Sequence, residues 1–441
     1  MSELWQTDQL GKYCYIKARI GWRGLSASEY TESGPYLIAG KHLENGVIDW
    51  DICDHISEPR YRESWEIALS EGDIILTKDG TIGRVARIDT LPGKATINGT
   101  MMLVRPGEGL DYRFLYHVLN GTEFKRLIED KVSGSSIPHI FQRDMVNLPI
   151  SFPPIEYQGR LADVLDTLDT AIRETESLID KLKAVKQGLL HDLLTRGIDA
   201  NGQLRPPQCE APHLYKDSPI GWVPREWECE TVFSAIEGAP RNGIYKPAGD
   251  IGTGVLLVGQ TAFTSEGSLN FSQARRARLS AVECDDFGLQ QGDLLVSRVF
   301  ATREGVGQPV IVPEMPEVAV YESNMMRLRV KQSLISPHLL FLWLKHRIAR
   351  GWIMSRAFAS NQASINRETI CSVPVLLPPM DEQAAILTVA MAHDSRRDEE
   401  IRELAKLQTL KAGLMDDLLT GRVRVTPLLE SVQQPVSQTE A

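Results

Sequence analysis

Two stretches of about forty residues carry apolar positions at a helical period, and each follows a region of short apolar runs broken by turn residues. In the first stretch, Leu161, Leu168, Thr175, Leu182 and Leu189 share one heptad position, and Leu165, Ile172, Ile179, Lys186 and Leu193 share the other. Only Thr175 and Lys186 interrupt this apolar seam, which predicts a coiled-coil helix from Glu156 to Thr195, stopped at Thr195-Arg196-Gly197. At ~1.5 Å per residue such a rod is roughly 60 Å long. The second stretch, Glu382 to Thr420, keeps Ile386, Ala390, Leu404, Leu407, Leu414 and Leu418 on its seam but places His393, Arg397 and Glu400 there too. Its middle is therefore expected to be solvated or to face another subunit.

Upstream of each helix the period shortens. Gly72-Asp73-Ile74-Ile75-Leu76-Thr77 reads as a strand after a turn, and Asp79-Gly80 as the turn before a strand from Thr81 to Ile88. Met101 to Val104 is a further strand, ending at Arg105-Pro106-Gly107. A helix from Tyr112 to Leu119 would bury Phe114, Leu115 and Val118, and another would run from Thr122, a candidate N-cap, to Lys131. A last strand is expected from Met145 to Phe152. The pattern returns later: Trp227 answers Trp5, Gly292 to Ser297 answers Gly72 to Thr77, and Asn324 to Arg329 answers Gly99 to Val104.

The chain is thus expected to be α+β, two similar globular units carried on two long helices that form an antiparallel coiled coil. Its segments are 1–154, the helix 155–197, a Pro- and Gly-rich linker 198–221, a second unit 222–379, the helix 380–422 and a disordered tail 423–441. The duplication is plainest at the helix ends, where KLKAVKQGLLHDLLT from Lys181 returns as KLQTLKAGLMDDLLT from Lys406. Phe152-Pro153-Pro154-Ile155-Glu156-Tyr157-Gln158 and Leu377-Pro378-Pro379-Met380-Asp381-Glu382-Gln383 lead into the two helices.

Composition is that of a globular protein, 42% hydrophobic and 24% charged, with no apolar run long enough for a membrane span and no leader-like N-terminus; a cytoplasmic location is expected. The six cysteines lack metal or disulfide spacing, so no metal is expected. The net charge of -10 speaks at first against nucleic acid, yet outside the segments 155–200 and 380–425 basic and acidic residues stand at 35 and 40, near balance. No phosphate loop, amino-methyltransferase motif or nuclease cluster is legible, and His139, His191 and His393 look isolated. No catalytic residue is assigned. A pair of units held on a stiff frame is a binding architecture, and bipartite DNA reading is its natural use.

The doubled order GD-[IL]-[IL]-x-[ST], a small-polar loop, P-P-x-[DE]-x-Q and a Leu-rich helix ending GL-[LM]-x-DLLT resembles the specificity subunit of Type I restriction-modification systems, over essentially the whole chain. The resemblance implies two target recognition domains, each reading half of a split site in double-stranded DNA. It also implies docking of two methyltransferase subunits and, through them, restriction and motor subunits. Adenine methylation with S-adenosylmethionine and cleavage with ATP and Mg would belong to those partners, not to this chain. A two-headed protein-interaction scaffold without a DNA role is the alternative.

Candidate DNA contacts are Thr77 and Lys78, with Ser297 and Arg298 at the matching place after the second Gly-Asp strand. The basic cluster Arg275, Arg276 and Arg278 could meet phosphate, and Ser135, Asn361 and Gln362 lie in the matched small-polar loops. Each has an ordinary solvated-loop reading beside the functional one. For spacer and subunit interface the candidates are Leu182, Lys186, Gly188 and Leu189, with Leu407, Lys411, Gly413 and Leu414 repeating them. The lysines either snorkel along the seam or set its register, and the matched glycines suggest close backbone approach by the other helix or by a partner.

Overall fold

A computed structural model of the chain describes residues 5–18, 25–133, 138–264, 266–358 and 362–422. The chain divides into two compact units, one running up to Ile179 and resuming at Glu399, the other comprising Asp180–Asp398. Both boundaries fall inside the long helices, Ile155–Thr195 and Met380–Leu419, so each unit holds one globular domain with half of each helix. The expected segments cut the chain before and after the helices; the compact units cut through them, because each domain packs on the helical halves beside it.

The first unit is built on a four-stranded antiparallel sheet in the order Cys14–Ala18, Met101–Pro106, Ile74–Thr77, Val85–Arg87. Ile74, Leu76, Met102 and Val104 join a core with Leu161 and Leu165 of the first long helix and Met415 and Leu418 of the second. Ile75, Met101 and Leu103 face a second core under the three-stranded sheet of Asp54–Ile56, Tyr30–Ile38 and Ala95–Ile97. The strand after the Gly-Asp turn is covered on both faces, which is why its residues are apolar without alternation. The second unit repeats this order with Arg241–Asn242, Met325–Leu328, Leu294–Ser297 and Pro309–Ile311, and again with a three-stranded sheet, Arg275–Ala277, Ile251–Val258 and Ala319–Tyr321. In each unit a short strand pair, Gln6–Gln9 with Pro149–Phe152 and Glu228–Thr231 with Pro374–Leu377, returns the chain to the helix start.

The recurrent motifs are polar groups with fixed tasks. Gly72 and Gly292 have φ of 86° and 85°, conformations that favour glycine. Asp73 and Asp293 are buried beside them. Asp73 accepts from the Ser70 N–H at 2.7 Å and from Arg105 at 2.6 and 2.7 Å, and Asp293 from the Gln290 N–H at 2.9 Å and Arg329 at 3.0 and 2.9 Å. The glutamine of the Pro-Pro motif is likewise buried. Gln158 donates to the Gly109 and Pro153 carbonyls, both at 2.9 Å, and accepts from the Asp111 N–H at 2.8 Å. Gln383 does the same with Leu334, Pro378 and Ser336 at 2.8, 2.9 and 2.8 Å. Each carboxamide ties the first turn of a long helix to the N-cap of a domain helix, Tyr112–Val118 or Pro337–Lys345.

Four expectations are corrected. The strand expected from Thr81 is limited to Val85–Arg87, because Gly80 and Gly83 both take positive φ and keep the chain in a turn. Met145 belongs to a helical turn, Gln142–Val146, before the strand Pro149–Phe152. Thr122 is inside the helix Thr122–Ser133 rather than its N-cap. The stretch 198–221 is no free linker: Arg205, Ala211 and Tyr215 are buried. Arg205 pairs with the buried Glu382, which also accepts from the Trp227 indole at 2.9 Å and the Ile198 N–H at 2.9 Å. Gly197, at φ 67°, ends the first helix in a space where a Cβ would meet Trp227, and Gly421, at φ 70°, ends the second where a Cβ would meet Trp5. The tail from residue 423 lies outside the described residues.

Removing a carboxamide that serves three backbone groups should be costly. Gln383→Ala and Gln158→Ala are each expected to destabilise the chain by about 2–4 kcal/mol, since a buried N–H and two carbonyls lose their partner. Urea unfolding of the variants measures this; a loss under about 0.5 kcal/mol would mean water replaces the carboxamide.

Candidate nucleic-acid interface

The two Gly-Asp strands end at equivalent backbone positions. The Lys78 N–H donates to the Thr100 carbonyl at 2.8 Å and the Ile140 N–H to the Lys78 carbonyl at 3.0 Å; for Arg298 the partners are Asn324 at 2.8 Å and Ile365 at 2.9 Å. The side chains differ. Thr77 is buried, its hydroxyl donating to the Thr81 carbonyl at 2.6 Å and accepting from the Arg84 N–H at 2.9 Å. Lys78 is buried too, with its ammonium 2.6 Å from Asp79, and Asp79 is also bound by His139. Burial would raise the Asp79 pKa, but hydrogen bonds from Lys78 and His139 outweigh it and hold the carboxyl below its usual range. Ser297 is fully buried and Arg298 half-buried, and neither side chain has a partner among the described residues. The first unit thus neutralises its cation at this position, and the second leaves it available.

Arg275 and Arg276 sit on an edge strand of the three-stranded sheet. Arg275 pairs with Glu322, and Arg276 grips Glu317 at 2.5 and 3.1 Å and the Gly254 carbonyl at 2.7 Å. Arg278 is exposed and, among the described residues, its side chain reaches only the Thr253 hydroxyl, at 3.4 Å. The cluster therefore carries less free charge than its sequence suggests. Its pairs are solvent-exposed, however, and exposed pairs are weak enough to exchange a carboxylate for a phosphate. Gln362 is exposed, while Ser135 and Asn361 lie outside the described residues.

On the helices, Lys186 pairs with Asp394 in the second unit and Lys411 with Asp169 in the first. Within the second unit Ile198 also meets Glu382, so rising numbers on one helix meet falling numbers on the other. In the first, Leu161 and Leu165 share a core with Met415 and Leu418. Each unit therefore pairs its two helical halves antiparallel. The aspartates lie 225 positions apart, as the lysines do, an equality present in the sequence but unused, because both stand beside the heptad stripe instead of on it. Leu182 and Leu407 are half-buried, and Leu189 and Leu414 pack against the cores of the second and first units respectively. Gly188 and Gly413 have nothing within 4 Å of a built Cβ, so the expected close approach by the other helix is absent. Both face open space, beside the exposed Val185 and Leu410.

Two further polar groups escaped the sequence pattern. His117, buried in the first unit, meets Asp166 at 2.8 Å and lies near Asp169. These donors approach within 4.8 Å of one another, as metal ligands do. Arg87, 2.5 Å from Asp166, and Lys411 on Asp169 already balance both carboxylates, which makes the group an ion-pair network that disfavours an added cation. His191 is not isolated: it stacks on His346 with nitrogens 3.1 Å apart, and burial together with His191 and Arg347 pushes the His346 pKa down to about 4.

A family model described as the Type I restriction modification DNA specificity domain matches residues 5–184 and again 263–409. A Type I restriction enzyme MjaVIII specificity subunit from Methanocaldococcus jannaschii is 23% identical over 376 residues, 82% of each chain. The EcoKI specificity subunit of Escherichia coli is 24% identical over 358 residues, 80% of this chain and 73% of that one. Among solved structures, a chain from a study of complex assembly and conformational transition of the type I R-M system superposes with a TM-score of 0.58 at 16% identity, covering 95% of this chain and 98% of that one. A Type-I restriction-modification system S subunit from M. genitalium gives 0.53 at 14% identity, covering 94% and 96%. At these identities the solved structures establish a common fold. Among the described residues, no helix is long and apolar enough to cross a membrane.

The two lysine–aspartate pairs should not be equal in strength. Lys411→Ala leaves Asp169, 13% exposed, without its cation and is expected to cost about 1–3 kcal/mol. Lys186→Ala should cost less, because Asp394 is 35% exposed and keeps Arg397 at 3.4 Å. Double-mutant cycles with Asp169→Ala and Asp394→Ala, read by denaturant unfolding, measure both couplings; a larger coupling at Lys186 would reverse the ranking.

Proposed function

Because this chain belongs to the Type I restriction modification DNA specificity family, we propose that it is the sequence-reading, non-catalytic subunit of a Type I restriction-modification complex. In this reading each globular domain reads one half of a split DNA site. The helices dock two methyltransferase subunits and, through them, the restriction and motor subunits. S-adenosylmethionine, ATP and Mg serve those partners. The observation that carries it is the matched end of the two Gly-Asp strands: the same backbone bonds, made by Lys78 and Arg298, present different side chains. A duplicated frame with unlike tips suits an asymmetric site.

Electrostatics fits a modular role. Near-balance of charge outside the helical segments calls for a few phosphate contacts rather than a broad basic face, with Arg278 available and Arg275 and Arg276 exchangeable. The open faces at Gly188 and Gly413, beside Val185 and Leu410, are matched surfaces of the kind two equivalent partner subunits would use.

The test is a gel shift of the chain with its methyltransferase partner, combined with mapping of methylated adenines in the host genome. An asymmetric, interrupted site and affinity that falls steeply with salt are expected. An uninterrupted or palindromic site, or a complex that binds protein but no DNA, would overturn the reading in favour of a scaffold. A Cβ at Gly188 or Gly413 has no atom of the described residues within 4 Å, and replacing either by leucine removes a helix-interior glycine, so the isolated chain should keep its stability or gain up to ~1 kcal/mol. Co-purification of the methyltransferase subunit should nevertheless drop; unchanged stoichiometry would clear these faces of a docking role.

A further inference from the structure

We infer that Asn242, Arg298 and Asn324 form the base-reading surface of the second recognition domain, taking the major-groove edges of purines in one half-site. This rests on the proposed DNA-reading role and names the residues that perform it.

Three strands bring these residues to one end of the four-stranded sheet. Ser297 ends its strand opposite Met325, and the next residue, Arg298, donates its N–H to the Asn324 carbonyl at 2.8 Å. Asn242 stands opposite Met326 on the other side of the same central strand, and the Gly243 N–H reaches the Met325 carbonyl at 3.1 Å. A Cβ on Gly243 would lie 2.2 Å from the Glu322 carbonyl oxygen, so only glycine lets the 242–245 segment lie against the turn that carries Asn324. Tyr245, at the end of that segment, is 77% exposed.

The polar atoms here are unmatched. Asn242 Oδ1, Arg298 Nε and Asn324 Oδ1 are shielded from solvent and have no hydrogen-bond partner among the described residues, and the Ser297 hydroxyl beneath them has none either. Every other half-buried arginine described in this unit has at least one partner for its guanidinium, although Arg350 Nη1 is unmatched as well. Buried polar groups are ordinarily satisfied, and a cluster of exceptions marks a place where the fold gives up stability for another purpose. The chemistry fits a base edge: a carboxamide turned to bring Oδ1 outward pairs bidentately with adenine N6 and N7, and an arginine with guanine O6 and N7. In the first domain the matching cation, Lys78, is tied to Asp79, and Asp79 to His139, so the two domains present different chemistry at the same place.

The experiment uses the full chain with its methyltransferase partner and selection from a randomised duplex library. Asn242→Ala, Arg298→Ala and Asn324→Ala should each relax base preference about tenfold at positions confined to one half-site, with the other half-site unchanged. Each variant, and Ser297→Ala, should hold or raise the melting temperature, because a group without a partner is removed. Unaltered preference in all three contact variants would overturn the inference, as would a uniform loss across all sequences, which marks phosphate contact. A drop of several degrees in melting temperature would also overturn it by showing a structural role. A wild-type complex with no sequence preference would overturn the proposed function itself, and this inference with it.

Discussion

A lysine in a helix seam cannot be left without an anion, and this requirement governs the register of the helical frame. Lys411 can meet Asp169, and Lys186 Asp394, only when the two helical halves in each unit lie antiparallel at one alignment. Sliding by a turn would leave a partly buried charge without its partner, at a cost of about 1–3 kcal/mol in the first unit and less in the second, where Asp394 is more exposed. Apolar seam residues do not discriminate in this way, since leucine against leucine tolerates neighbouring registers. The polar interruptions of the seam are therefore what fix the alignment of the helical halves within each unit.

The same logic operates where domains meet helices. Gln158 and Gln383 each satisfy three backbone groups at a buried junction, and Asp73 and Asp293 each close a glycine turn while holding an arginine. These groups recur in both halves because their partners are backbone atoms or motif residues, which duplicate with the fold. Beyond them, the pairs diverge. Thr77 pins its loop while Ser297 pins nothing, and the Asp79 that neutralises Lys78 is replaced by Val299 beside Arg298. Satisfied groups mark the frame, and unsatisfied or exchangeable ones mark the surfaces free to change.

Much of this was legible in the chain. Both helices, both Gly-Asp strands and their doubling follow from periods and motifs that act over a few residues. What escaped depends on distant partners. Pro and Gly content made 198–221 look like a linker, because no local signal reveals that Arg205 meets Glu382 or that Tyr215 is buried. The aspartates at 169 and 394 were hidden by lying off the heptad stripe. The glycines at 188 and 413 carried a real signal, their matched spacing, whose meaning lay in open space rather than in close packing. Candidate contacts fared similarly: composition singled out the arginines at 275 and 276, but their charges are occupied by Glu322 and Glu317.

This separation has an evolutionary corollary rooted in energetics. A recognition surface of the proposed kind can be rewritten without unfolding the domain, since changing Asn242 or Asn324 forfeits no side-chain hydrogen bond among the described residues. A surface built from the Lys78–Asp79–His139 network is harder to alter, because replacing one member strands the others. The two domains, although built on one frame, therefore differ in how freely their specificity can change. In the proposed DNA-reading role, the second is the one whose reading residues are decoupled from its stability.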